Sequence, residues 1–142
     1  MITQRDLKAA LPQLDGVVHL EGLASPVEVY RDRFGIPHIW ASSELDAFFA
    51  QGYVTAQDRL WQMEYDRRRG SGRWAEAVGA PALEQDKLMR RFRLEASARL
   101  DYQAVSDRTR GIFDVHARGV NAFIADAEAT ARLPVEYRIT GL

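Results

Sequence analysis

Between Leu45 and Met63 the chain sets Leu45, Phe48, Phe49, Gly52, Ala56, Leu60 and Met63 at steps of three or four residues. That rhythm follows the 3.6-residue turn of an α-helix and gathers these side chains into one buried stripe. Gly52 is the member that most restricts the fold. A missing side chain on a buried stripe lets a neighbouring backbone approach. Ser42 or Ser43 caps this helix, and Ser43 followed by Asp46 three residues on resembles a capping box. Gly70-Ser71-Gly72 ends it.

The segments around this helix are shorter. Residues 5–12 read as a short helix stopped near Pro12, and Asp15-Gly16 is a turn signal. VVHLEGL beyond it alternates only weakly. Residues 26–31 alternate with a period of two and read as a strand, and Ile36 to Ala41 reads as a second. Arg31 to Gly35 forms the turn between them, with Gly35 free to take positive φ. Pro37, near the start of the second strand, sits where a missing N–H is harmless. Trp74 to Val78 is a helical turn closed by Gly79, and Pro81 opens the next helix. Residues 82–103 read as helical with a break near Glu95. Ser106 caps a further helix whose Ile112, Val115, Gly119, Phe123 and Ala127 share a face. Leu133-Pro134 ends that helix, and the remaining tail reads as loop. The sum is a mainly α chain with an N-terminal β-hairpin. A two-stranded hairpin is marginal alone, so the hairpin is expected to complete a sheet supplied by another polypeptide.

With 142 residues the chain suits one domain with a real core. A net charge of −1 gives no global field for nucleic acid or an anionic membrane. Arg67, Arg68, Arg69 and Arg73, then Arg90, Arg91 and Arg93, are interleaved with Glu64, Asp66, Glu76, Glu84 and Asp86. They read as solvated helix faces and ion pairs, against a polyanion site. The absence of cysteine excludes disulfides, thiolate catalysis and cysteine-bound metal. No apolar run approaches a membrane span. The first residues, MITQRDLKAALPQLDG, contain no apolar signal-peptide core. A leaderless, cytoplasmic protein is therefore expected.

A nucleophilic hydrolase needs a nucleophile, a base within reach and oxyanion donors. The serines Ser25, Ser42, Ser43, Ser71, Ser97 and Ser106 include none in a GxSxG elbow. Ser42, Ser43 and Ser106 read better as caps, and Ser71 as a flexible turn. His19, His38 and His116 lack metal-ligand spacing. His38 reads as a half-buried imidazole, with orientation of a partner-chain group as the sharper alternative. Asp58 and Glu64 are too far around the helix to act as a pair. Asp58 and Arg59 read as ion-pair members joining the helix to the hairpin or to a partner chain. Trp40, Phe48, Phe49, Tyr53, Trp61 and Trp74 read as core aromatics before they read as an acyl pocket.

Four stretches in order carry a resemblance. They are RDRFGIPHI, then GYVTAQDRLWQM with a glycine break before AEAVG, then ARGVNAFI, then LPVEYRITGL. In this order they resemble the N-terminal, α-chain segment of the penicillin acylase family of N-terminal-nucleophile amidases. The likeness covers residues 26–142, with 1–25 as an N-terminal extension. It implies the α-chain part of an αββα N-terminal-nucleophile hydrolase fold. It implies hydrolysis of the amide of an acylated small molecule, of penicillin, cephalosporin, acyl-homoserine lactone or lipopeptide type. It also implies a precursor that cuts itself into α and β chains. The nucleophile is then the N-terminal serine of the β-chain, its own amine the base. The family's α-chain pocket and calcium contributions come from a helix expected beyond Leu142. Calcium thus belongs to the longer enzyme, and no cofactor is expected in this chain. No residue here matches a catalytic, substrate-binding or metal position, and the chain alone is expected to be inactive. Family members are commonly exported, which makes a periplasmic or secreted location the alternative. The rival class is a non-catalytic interaction module that reuses the α-segment.

Overall fold

The computed structural model describes residues 2–142. In chain order the elements are α1 (Gln4–Ala9), β1 (Glu28–Arg31), β2 (Pro37–Trp40), α2 (Glu44–Gly70), α3 (Ala75–Val78), a 3-10 turn (Ala80–Ala82), α4 (Leu83–Phe92), α5 (Leu94–Ala104), α6 (Asp107–Ala129) and α7 (Val135–Thr140). The strands pair antiparallel, with Glu28 opposite Trp40, Val29 opposite Ile39, Tyr30 opposite His38 and Arg31 opposite Pro37. They form a two-stranded sheet among the described residues.

The core lies where α2 crosses α6. Phe49, Tyr53, Val54, Ala56 and Leu60 of α2 are buried with Val115, Phe123 and Ala127 of α6. The expected role of Gly52 is fulfilled. A β-carbon there would fall 2.1 Å from the His116 carbonyl oxygen. Gly119 answers it from α6, where a β-carbon would fall 2.0 Å from the Phe49 carbonyl oxygen. Neither helix could rise off the other without losing the packing around this crossing. The Tyr53 and Phe123 rings meet edge to face beside it, with centroids 5.4 Å apart. This geometry suits the aromatic quadrupole.

Several local expectations are corrected. Leu45 is 49% exposed and leaves the buried stripe. Its place near the helix start is taken by Asp46, which is 3% exposed. Ser43 caps α2 by accepting from the Asp46 amide at 3.0 Å. The reciprocal half of a capping box is missing, because the Asp46 carboxylate accepts instead from Ala24 N–H at 2.8 Å. A complete capping box stands at α1, between Thr3 and Asp6. That helix ends at Ala9, short of the expected residue 12. The break in the 82–103 helix falls at Arg93, which takes left-handed φ 55, two residues before the expected Glu95. The tail is not a loop: Val135–Thr140 is helical, following Pro134 and closed by left-handed Gly141. A proline just before a helix costs nothing there, because the first N–H groups have no partner within the helix.

Two carboxylates hold irregular segments in place. Asp86 of α4 is 4% exposed and accepts from the Trp74 and Ala75 amides at 3.0 and 2.7 Å. It thereby satisfies the free N–H groups at the start of α3, which has no cap of its own. Asp46 does the same for the chain entering the hairpin. The Ala24 amide, then the Ser43 hydroxyl, hold its carboxyl below the usual carboxylate range.

Candidate functional site

Turn, strand and helix meet at Arg31. Its guanidinium donates to both Asp58 oxygens at 3.0 and 2.8 Å, to Gln57 Oε1 at 2.8 Å and to the Gly35 carbonyl at 2.9 Å. The Arg31 side chain is 16% exposed and that of Asp58 31%. One planar fork thus closes the hairpin turn and bolts the hairpin to α2, the task for which arginine geometry is suited. The reading of Asp58 as a link from helix to hairpin is correct. Arg59 does not share it: it is exposed and forms no ion pair among the described residues, and its φ of −140 and ψ of 20 interrupt α2. The helix therefore bends one residue past the clamp.

Asp32 shapes the turn itself. Its Oδ1 accepts from the Phe34 and Ile36 amides at 2.8 and 3.0 Å. Burial opposes ionisation of this carboxyl, yet the two amides and His38 together hold it below its ordinary range. His38 lies 3.4 Å from the other Asp32 oxygen and its side chain is 52% exposed. The imidazole is thus half-buried with one nitrogen facing Asp32, as expected. In this strand His38 sits on the outward face, opposite Tyr30 in the register.

The serines take no part in a nucleophile–base arrangement. Ser43 and Ser106 cap α2 and α6, as expected. Ser71 terminates α2, with its hydroxyl donating to the Arg67 and Arg68 carbonyls. Among the described residues no serine oxygen is hydrogen-bonded to a histidine, and no three acidic or histidine residues are grouped to hold a metal ion.

The aromatic residues divide into separate groups. Phe49 and Tyr53 belong to the helix crossing. Burial, then the neighbouring Asp126 carboxylate 3.1 Å away, push the Tyr53 phenol up to about 12. Trp61 and Trp74 stack with Tyr65 and Tyr137: Tyr65 meets Trp74 edge to face at 4.9 Å, and Tyr137 meets Trp61 at 5.3 Å. Burial and the Glu64 charge push Tyr137 up to about 12. This cluster ties α7 to the C-terminal half of α2. Trp40 joins neither group and is 69% exposed. Three of the clustered arginines form ion pairs, Arg67 and Arg68 with Glu64, and Arg68 and Arg73 with Glu76, whereas Arg69 donates to the Tyr65 hydroxyl and Arg90 to the Gly72 carbonyl.

The hairpin carries an exposed apolar surface. Tyr30, Phe34, Ile36 and Trp40 are 65%, 72%, 54% and 69% exposed. Aromatic and β-branched residues on a strand ordinarily pack against another layer. An exposed apolar patch of this kind marks an interaction surface.

Comparison with known proteins gives this arrangement a context. Residues 26–142 match the penicillin amidase family. The chain is 48% identical over 135 residues to the penicillin acylase 2 proenzyme of Pseudomonas sp. (strain SE83), covering 95% of this chain and 17% of that protein. It is 44% identical over 115 residues to the acyl-homoserine lactone acylase QuiP of Pseudomonas aeruginosa, covering 81% of this chain and 14% of that protein. With the penicillin G acylase of Escherichia coli it shares 35% identity over 123 residues, 85% of this chain and 14% of that protein. It thus spans about a sixth of the length of these relatives, or less. In three dimensions it superposes on the thermostable penicillin G acylase of Alcaligenes faecalis with a TM-score of 0.74 and 34% identity, over 82% of this chain and 63% of that one.

Proposed function

The chain belongs to the penicillin amidase family, and from that premise we propose that it is the α-chain segment of an amidase that cleaves acylated small molecules. The observation that carries the proposal is the shared fold: 82% of the chain superposes on an acylase chain at 34% identity. The substrates follow the names of its relatives, an acyl side chain in amide linkage to a penicillin nucleus or to a homoserine lactone. The nucleophile in this reading is the N-terminal serine of a β-chain cut from the same precursor, with its free amine as base. In this reading the β-chain also supplies the oxyanion donors. The work of the residues described here is structural: they form one wall of the enzyme and present the hairpin to the β-chain's sheet.

A chromogenic phenylacetyl or longer-chain acyl anilide tests this. The purified chain is expected to give no turnover, and co-production with its β-chain is expected to give turnover that depends on the β-chain's first residue. Turnover by the chain alone, abolished by a substitution within residues 2–142, would overturn the proposal.

A further inference from the structure

Between α1 and β1 the chain crosses the α2/α6 pair as an irregular strap. Among the described residues, no backbone–backbone hydrogen bond involves residues 13–24. The strap is pinned near its two ends. The Gln13 carbonyl accepts from Gln57 Nε2 at 2.9 Å, and the Ala24 amide donates to Asp46 at 2.8 Å. Just inside each pin stands a glycine at positive φ, Gly16 at +109 and Gly22 at +104. These are the positions where backbone freedom matters, since an L side chain rarely adopts such angles.

The five residues between those glycines hardly touch the body. Val17 is 83% exposed and Val18 48%, and His19 and Glu21 are exposed too. Leu20 alone is tucked in, packed against the cluster that holds Tyr53 and Phe123. Clefts undercut the strap on both flanks. One runs toward Phe49 and Val54. Another lies over Tyr53, Phe123, Asp126 and Arg132. A third opens toward Arg118 and Asn121. A segment with no backbone ladder, a single apolar anchor and space beneath it belongs to the least stable part of a fold and opens independently of the rest.

We propose that residues 17–21 form a lid, hinged at Gly16 and Gly22 and latched by Leu20, which opens locally to uncover the α2/α6 groove floored by Tyr53, Phe123 and Asp126. The open lid exposes an apolar-walled groove with a phenol and a carboxylate at its base. This device is a property of the chain itself and stands independently of the amidase reading.

The chain has no cysteine, so a single introduced thiol reports its own site. Leu20→Cys, Val17→Cys and Val54→Cys would each be reacted with a chromogenic disulfide reagent, with circular dichroism to verify the fold. Val17→Cys is expected to react at the rate of a free thiol. Leu20→Cys should react roughly 10- to 100-fold slower, as for a local opening of modest free energy. Its rate should stay flat in low urea, because a local opening exposes little surface. Val54→Cys should be slower still and accelerate with urea. A Leu20→Cys rate equal to that of Val54→Cys, with the same urea slope, would overturn the proposal: the strap would open only on global unfolding. A rate equal to that of Val17→Cys would overturn it as well, since no closed state would exist. Asp126→Cys provides a check with the latch intact. Adding Leu20→Ala should speed its reaction, and no change would contradict the lid.

Discussion

At the α2/α6 crossing two backbones come so close that Gly52 and Gly119 leave no room for a β-carbon, whereas the β1/β2 hairpin turns Tyr30, Phe34, Ile36 and Trp40 into solvent. The crossing is held by shape and apolar burial. The hairpin is held mostly by the Arg31 fork, a polar fastening to Gln57, Asp58 and Gly35. The difference separates what this chain completes by itself from what it offers to something else. A helix pair with Phe49, Ala56 and Ala127 at 1% exposure or less already owns its core. A two-stranded sheet with aromatic side chains outward does not. The chain spans about a sixth or less of the length of the relatives it matches, and the outward hairpin face is an apolar surface that these residues leave uncovered.

The comparison breaks first at the crossing. Gly52→Leu should be the most damaging substitution, because the obstacle is the His116 backbone carbonyl and cannot swing aside. Overpacking commonly costs about 1–3 kcal/mol, and a rigid backbone obstacle places this case at the upper end or beyond. A thermal melt unchanged from that of the parent would show that α2 and α6 are not in contact there.

The fastening comes next. Arg31→Met should cost about 1–3 kcal/mol, since it removes charged hydrogen bonds and strands Asp58 at partial exposure. The loss should fall on the hairpin more than on the crossing. A double-mutant cycle with Asp58→Asn measures the coupling. A coupling indistinguishable from zero would mean that the hairpin is held by apolar contact after all.

Acid should loosen the approach to the hairpin before it loosens the helices. Asp46 has its carboxyl depressed by the Ala24 amide and the Ser43 hydroxyl. A group whose folded pKa is lowered contributes stability above its unfolded value, and that stability is lost as pH falls through the folded value. Stability should therefore fall below about pH 4, the ordinary carboxylate range. Asp46→Asn should flatten part of that fall, as measured by urea melts across pH. An identical acid limb in the variant would remove Asp46 from this role.

The smallest effect is expected on the outward face. Trp40→Ser should change the stability of the isolated chain by no more than about 0.5 kcal/mol, as for surface substitutions generally. It should nevertheless weaken association with a β-chain. A large loss of stability in the isolated chain would show that Trp40 is packed within these residues.

What the sequence made legible follows from periodicity. Gly52, Ala56 and Leu60, and Val115, Gly119, Phe123 and Ala127, repeat at helical spacing, and both stripes are buried. The hairpin was legible from its alternation and from Gly35. Asp58 was legible as a linking charge, but its partner was not, because Arg31 lies 27 residues away and no local pattern joins them. Asp46 and Asp86 escaped for the same reason: each holds backbone amides of a distant segment. The α7 helix was lost behind Leu133-Pro134, where a proline was read as a stop although it also precedes starts. Leu45 was assigned to the stripe by spacing alone, at the helix end where Asp46 turns inward in its place to hold the Ala24 amide. For the active centre the sequence offered family likeness and no residue, and the structure brings together no nucleophile and base among the residues described.

Hydrogen exchange over residues 28–40, in the isolated chain and in complex with its β-chain, tests most directly the division between a finished helix pair and an unfinished sheet. Amides of the α2/α6 crossing should be strongly protected in both. Those of the hairpin should exchange rapidly in the isolated chain and become protected in the complex, when a further strand satisfies the open edge. Strong and equal protection of the hairpin in a monomeric isolated chain would contradict that division.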